Sequence, residues 1–422
     1  MRLLYTTLFI LGLPLIVLRL IWRGFKAPAY WRRWSERFGS SPTLTRSDQV
    51  IWIHAVSVGE VEACRPLVKA LQVEYPSSSL LISTMTPTGS ARVKLLYADT
   101  VEHCYLPYDI PLFLNRFFKR SKPLFGIIME TEIWPNLIFS SAKQKIPLLL
   151  ANARLSVRST KGYGKLPKFT ASILQHLTVI AAQGEQDKQH FQQLGANTEQ
   201  VFVTGNLKYE INLPASLNEQ AQAMREAWGR DRPVWIVAST HEGEEALIID
   251  AFRRSLMKMP TLLLIIVPRH PERFERVASL IGGDEFKTAR RSVQQQVPQD
   301  TQILLADTMG ELPLFYACSD IAFVGGSLVE HGGHNLLEPA ALAKAIITGP
   351  YFFNFTEITQ QFLDADAALL VNNSDELATA VMSLLQDSPQ RITMGEAGLQ
   401  LIENSQGATK QIMQLIKQYL IK

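Results

Sequence analysis

The stretch "VIWIHAVSVGE", Val50 to Glu60, runs from apolar residues through a histidine into small residues, a glycine and a carboxylate. An unbroken apolar run suits a parallel strand buried on both faces. The remainder reads as a strand end followed by a helix start. Ser57 and Glu60 have the S-x-x-E spacing of a capping box, in which two side chains satisfy free backbone N–H groups. Taken alone, "HAVSVGE" favours capping by Glu60 over catalysis.

The same rhythm of apolar run and helical stretch recurs along the chain. In the first half it predicts strands at 50–56, 80–85, 125–130, 147–153, 179–184 and 201–206. In the second half it predicts them at 234–240, 261–268, 302–307, 321–326, 345–350 and 368–373. Strand–helix alternation builds doubly wound α/β sheets. Six strands twice over imply two Rossmann-like domains, since the eight units of a barrel do not fit two such groups. The weakest patterning is at 207–233, which places the boundary there: an N-terminal domain over 23–213 and a C-terminal one over 214–422. Two such domains leave a cleft at the carboxyl ends of their strands, where ligands bind.

Composition narrows the function classes. At 422 residues, 47% hydrophobic and 19% charged, the chain is globular, and its net charge of +3 does not point to nucleic acid. Cys64, Cys104 and Cys318 are scattered, which argues against a disulfide framework or a zinc site. The first 22 residues are apolar enough to anchor the chain at a membrane, as a short span or an interfacial helix. Arg19, Arg23, Lys26, Arg32, Arg33 and Arg37 follow or close this segment, which keeps the bulk of the chain cytoplasmic. Arg19, Arg23 and Lys26 lie between the apolar run and "APA" (27–29), against a cleaved signal peptide.

Most of the distinctive residues fall at expected strand ends. "GGSLVEHGGHNLLEPA", 325–340, combines clustered glycines, His331, His334 and a helix start at Asn335, a setting that favours an anion or hydroxyl oxygens. Asn335 and Glu338 also have capping spacing. In "VPRHPERF", Arg269 after Pro268 suits a phosphate, through two parallel hydrogen bonds, or a surface salt bridge. Met309, Gly310 and Glu311 could present backbone groups to a base or ribose, or simply begin a helix. Glu130 and Glu132 in "METEIWPN" form an E-x-E, buried and split in pKa or solvated. Lys208 in "GNLKYE" is a cation placed for an anionic leaving group. Arg154, Arg158, Lys161, Lys165 and Lys168 make an acid-free basic loop that suits a polyanion or is simply an ordinary basic loop. No P-loop, early G-x-G-x-x-G or H-E-x-x-H is present.

Together, the N-terminal segment, "HAVSVGE", "METEIWPN", "ANARLS", "GNLKYE", "VPRHPERF" and "GGSLVEHGGHNLLEPAA" resemble the 3-deoxy-D-manno-octulosonic acid (Kdo) transferases of lipopolysaccharide assembly. The resemblance covers nearly the whole chain. It implies a GT-B glycosyltransferase fold and transfer of Kdo from CMP-Kdo to a lipid A precursor, lipid IVA, with more than one Kdo added. It implies work at the cytoplasmic face of the bacterial inner membrane, with no metal cofactor and no nucleic-acid partner. By motif, Glu60 corresponds to the general base, and Glu130 and Lys208 to groups that stabilise the transition state. Pro268, Arg269, Met309, Gly310, Glu311, Asn335, Leu336, Leu337 and Glu338 correspond to the CMP-binding positions.

The chemistry fits. An acceptor hydroxyl needs one base to take its proton, whereas CMP leaves as a stable anion that cations can hold. A helix N-terminus favours ionised Glu60 and weakens it as a base, so burial must offset that effect. Two rivals predict different behaviour. A transferase for a UDP-sugar would prefer UDP to CMP, and a membrane-tethered scaffold would keep its role after Glu60→Gln.

Overall fold

The computed structural model describes residues 1–40, 49–211, 213–293 and 297–421; Asn212, inside the expected linker, lies outside them. The chain forms two compact units, Met1–Glu210 with Ser405–Lys422, and Ile211–Asn404.

Unit 1 is built on β1 (Val50–His54), β2 (Ser79–Thr84), β3 (Glu102–Tyr105), β4 (Pro123–Met129), β5 (Leu148–Ala153), β6 (Val179–Ala182) and β7 (Val201–Val203). Their order is β3-β2-β1-β4-β5-β6-β7, and every pairing is parallel. Alternate residues of β1 serve opposite cores, as the pleat requires. Ile51 and Ile53 face one cluster, and Val50 and Trp52 the other. Burial of both faces explains the unbroken apolar run.

Unit 2 holds β8 (Val234–Thr240), β9 (Leu263–Pro268), β10 (Thr288–Arg290), β11 (Ile303–Leu305), β12 (Ile321–Val324), β13 (Ala345–Thr348) and β14 (Ala368–Leu370). The order is β10-β11-β9-β8-β12-β13-β14, again all parallel. The strand order reverses between β1 and β4 in unit 1 and between β8 and β12 in unit 2, the switch points at which such sheets bind ligands.

The structure corrects the sequence reading in three places. Each sheet has seven strands, not six, because β3 ("EHCY") and β10 ("TAR") were not read as strands. Both are short edge strands with partly exposed residues, so neither carries an apolar run. The expected C-terminal domain, 214–422, loses its last segment to unit 1. There Ile412, Ile416 and Leu420 pack in one core with Ile51, Leu67 and Leu71. The first helix runs Arg2–Lys26, past the expected anchor end at 22.

Candidate functional site

Two short segments at the unit 1 switch point carry the acids. β1 ends at His54, and the Val58–Ala63 helix begins just beyond, with Glu60 in its first turn. The expected capping box does not form as such, because Glu60 reaches one residue past the N-cap Ser57. Glu60 Oε2 accepts from the Val56 N–H at 2.8 Å and Oε1 from the Ser57 hydroxyl at 3.2 Å, while the Ser57 side chain caps no backbone N–H. Burial pushes the Glu60 carboxyl up to about 7; the Val56 N–H opposes this, and nearby Glu132 and Glu130 add to it. Burial thus outweighs the helix terminus, leaving a carboxylate poised to take a proton near neutral pH.

Glu130 directly follows β4, held at φ 54° in the left-handed region, an uncommon state for a side chain of this size. Its Oε1 lies 3.2 Å from Lys208 Nζ and its Oε2 3.5 Å from Arg154 Nε. Glu132 accepts from Trp134 Nε1 at 2.6 Å, and burial raises its carboxyl. The structure therefore brings Glu60, Glu130, Glu132 and Lys208 into one charged cluster within unit 1.

Two asparagines, quoted in motifs but given no role by the sequence reading, fix Lys208. Asn152 has φ 53° at a register shift near the end of β5, and its Oδ1 accepts the Leu207 N–H at 2.9 Å. Asn206 Oδ1 accepts the Lys208 N–H at 3.0 Å. A bulge beside a site re-aims a side chain, and here it pins the turn that carries the lysine. The expected basic loop is helical instead. Val157–Tyr163 and Pro167–Leu174 are helices, with Arg158, Lys161, Lys165 and Lys168 exposed on or beside them.

In unit 2 the nominated residues lie beyond three strands of one parallel sheet, at its carboxyl end. Pro268 closes β9, and the exposed Arg269 bonds through its N–H to Thr240 O at 3.1 Å. Met309, Gly310 and Glu311 follow β11. Met309 is exposed, Gly310 has φ 88°, and Glu311 pairs with Arg291 at 2.8 Å, so Glu311 is engaged by a side chain of its own unit. Asn335 Oδ1 accepts the Leu337 N–H at 3.1 Å in a turn just before the helix Leu337–Ala340, which begins two residues later than expected with Leu336 at its N-cap. Leu336 and Leu337 are buried, and Glu338 sits in that first turn.

The glycine loop has an organiser that sequence reasoning missed. Glu244 is fully buried, and its carboxylate accepts from the N–H groups of Gly326 (2.8 Å), Ser327 (3.0 Å) and Leu328 (3.0 Å). Gly326, Gly332 and Gly333 all have positive φ, the conformation that only glycine adopts freely. Gly349 allows an equally close approach: a Cβ there would lie 2.2 Å from Ser327 O. Glu245 pairs with Arg273 at 2.6 Å and accepts from the Thr240 hydroxyl at 2.8 Å. A signal for Glu244 existed in "STHEGEE" (239–245), which follows β8 as "HAVSVGE" follows β1.

Histidines border this loop. His241 Nε2 lies 2.8 Å from His334 Nε2, and the His331 ring stacks on His241 at 4.2 Å. Burial and neighbouring cations lower His241 to about 4 and His334 to about 3, so both are neutral at pH 7. Among the described residues, no group of three or more His, Cys, Asp or Glu side chains is placed to hold a metal ion.

Comparison with known proteins agrees with these motifs. Residues 32–211 match the family model "3-Deoxy-D-manno-octulosonic-acid transferase (kdotransferase)", and residues 231–401 match "Glycosyl transferases group 1". The chain is 44% identical to a 3-deoxy-D-manno-octulosonic acid transferase of Haemophilus influenzae, covering 99% of each chain. It is 35% identical to one of Bordetella pertussis, covering 98% of each. The Neisseria meningitidis UDP-GlcNAc 2-epimerase bound to UDP-GlcNAc has a similar fold: TM-score 0.56 at 16% identity, over 88% of this chain and all of that one.

Proposed function

The chain belongs to the 3-deoxy-D-manno-octulosonic acid (Kdo) transferase family, and from that premise we propose that it moves Kdo from CMP-Kdo to lipid IVA, more than once, at the cytoplasmic face of the bacterial inner membrane. A glycosyltransferase of lipopolysaccharide biosynthesis is what family membership itself establishes. Donor, acceptor, number of additions and membrane face are the finer parts of this reading.

The observation that carries the mechanism is Glu60, half-buried and held near neutrality in the first turn of the helix that follows β1. In the proposed reaction, an acceptor hydroxyl gives its proton to Glu60 as its oxygen attacks the anomeric carbon. The bond from that carbon to the CMP phosphate oxygen breaks, CMP leaves as an anion, and the centre inverts. Lys208, braced by Glu130 at 3.2 Å, places a positive charge where negative charge develops. In unit 2 the proposed CMP contacts are Pro268 and Arg269, Met309 to Glu311, and Asn335 to Glu338. With Glu311 bound to Arg291, its contribution is assigned to the backbone of its turn. A leaving group this stable needs no protonating acid, and the proposal includes no metal; turnover is expected to persist in EDTA.

The test is mass spectrometry of lipid IVA incubated with detergent-purified protein and freshly generated CMP-Kdo. A gain of two or more Kdo units supports the full reading. One unit refutes multiple addition. No gain, with donor and folding verified, refutes this donor–acceptor pair.

A further inference from the structure

The helix Arg2–Lys26 is long and apolar enough to cross a bilayer. Its 25 residues extend about 37 Å at the usual rise. A crossing helix carries its first turn to the membrane face opposite the globular unit that follows it. Here that turn is fastened to the unit itself. The Tyr5 hydroxyl donates to Asp109 Oδ2 at 2.9 Å, Arg2 Nε to Asn136 Oδ1 at 3.0 Å, and Asn136 Nδ2 to the Thr6 hydroxyl at 2.9 Å. The Arg2 guanidinium lies over the Phe139 ring, and Phe9 meets Trp134 edge-on.

Asp109 makes this a built socket. It is 3% exposed, and it accepts the N–H groups of Asn136 (3.0 Å) and Leu137 (2.7 Å), which caps the Pro135–Lys143 helix from a distant loop. Tyr5 supplies a third bond. Beyond the other end of the first helix, Arg33 donates to His103 O at 2.8 Å and Glu36 accepts the Tyr105 N–H at 2.8 Å. Both ends thus tie to the same stretch, His103 to Asp109.

We propose that this helix lies in the plane of an anionic bilayer surface, docked by its first two turns, instead of crossing the bilayer. Its outer face fits that partner. Leu4, Leu8, Leu11, Leu15, Leu18 and Trp22 recur at helical spacing, and all are more than half exposed. Arg19, Arg23 and Lys26 follow on a helix that carries no acid, which complements anionic headgroups. The docked turns reach the acidic cluster through one intervening side chain, because Trp134, which meets Phe9 edge-on, donates to Glu132. Resting on the lipid-acceptor reading of that cluster, the arrangement brings a membrane-held acceptor to the site from the surface on which the helix lies.

The test appends one epitope before Met1 and another after Lys422, and digests oriented membrane vesicles of both polarities with protease. Loss of both epitopes from the same face is expected; loss from opposite faces overturns the proposal. Failure of the purified chain to float with phosphatidylglycerol vesicles would also overturn it, in favour of a protein partner. Tyr5→Phe gives an independent arm. It is expected to raise KM several-fold for the acylated acceptor in vesicles and to leave KM for a deacylated acceptor unchanged. Equal effects on both, or on neither, count against the docking role. If the wild-type chain uses neither acceptor, the reaction assignment fails while the epitope result still decides the topology.

Discussion

Glu60 combines hydrogen bonds at a helix start with a raised carboxyl pKa, the two features on which its proposed role as base rests. It accepts the Val56 N–H, just before the helix, and the Ser57 hydroxyl, while burial raises its carboxyl to about 7. For a base with this pKa, kcat/KM is expected to fall about tenfold per pH unit below 7. Glu60→Gln, measured across the same range, should lose at least about 10²-fold in kcat together with that acid limb. The stability sign is opposite. Because the folded-state pKa lies above the unfolded one, the favourable contribution of protonated Glu60 is present at low pH and fades as pH rises through 7. Glu60→Gln should therefore equal or exceed the wild type in stability at pH 8, by up to about 3 kcal/mol. A variant both inactive and much less stable there would contradict the assignment. Lys208 makes a separate prediction: Lys208→Ala should lower kcat by about 10²-fold. A double-mutant cycle with Glu130→Ala should show strong non-additivity, since the two side chains form an ion pair. The S-x-x-E spacing was legible in "HAVSVGE"; the burial that selects a base over a plain cap was not, because no local pattern reports which groups from distant strands cover a side chain.

At the scale of elements, strand ends and the turns after them carry the site. Glu130, Asn152 and Ser239 all adopt positive φ at or near strand ends, where switch-point loops turn out of the sheet. Glu244 orders the glycine loop by accepting three successive N–H groups. Glu244→Ala would strand those buried donors and is expected to cost about 3 kcal/mol or more. It should also weaken CMP binding at least about tenfold, readable by calorimetry with CMP alone. Unchanged CMP affinity in a folded variant would remove Glu244 from any organising role. Twelve strands were readable from their apolar runs, which burial on both faces demands of the central ones. β3 and β10 were not, because these edge strands, unlike β7 and β14 at the opposite edges, carry no apolar run and are held by one neighbour's backbone, which any sequence can supply. The helices at Val157–Tyr163 and Pro167–Leu174 escaped for a related reason: their basic residues face solvent and leave little apolar period.

At the scale of the molecule, the chain closes on its first unit. Glu210 Oε1 accepts the N–H groups of Gly407 (2.9 Å) and Thr409 (3.1 Å), and the helix Ala408–Leu415 adds Ile412 to the core beside Leu67 and Leu71. Ending the chain at Asn404 removes Ile412, Ile416 and Leu420 from that core. It should cost unit 1 more than about 5 kcal/mol and expose it, rather than unit 2, to limited proteolysis. Preferential cleavage of unit 2 would refute that assignment. By itself the sequence determined the class of fold, the two sheets and the family motifs, because runs, glycines and spaced acids are local signals written along the chain. Only the tertiary structure decided which unit the last helix joins, that Glu244 rather than a glycine-loop residue orders the loop, and that Tyr5 reaches Asp109. These depend on contacts between residues roughly 80 to 350 positions apart. A linear pattern carries no record of such pairings, since each partner's own neighbours are compatible with many others.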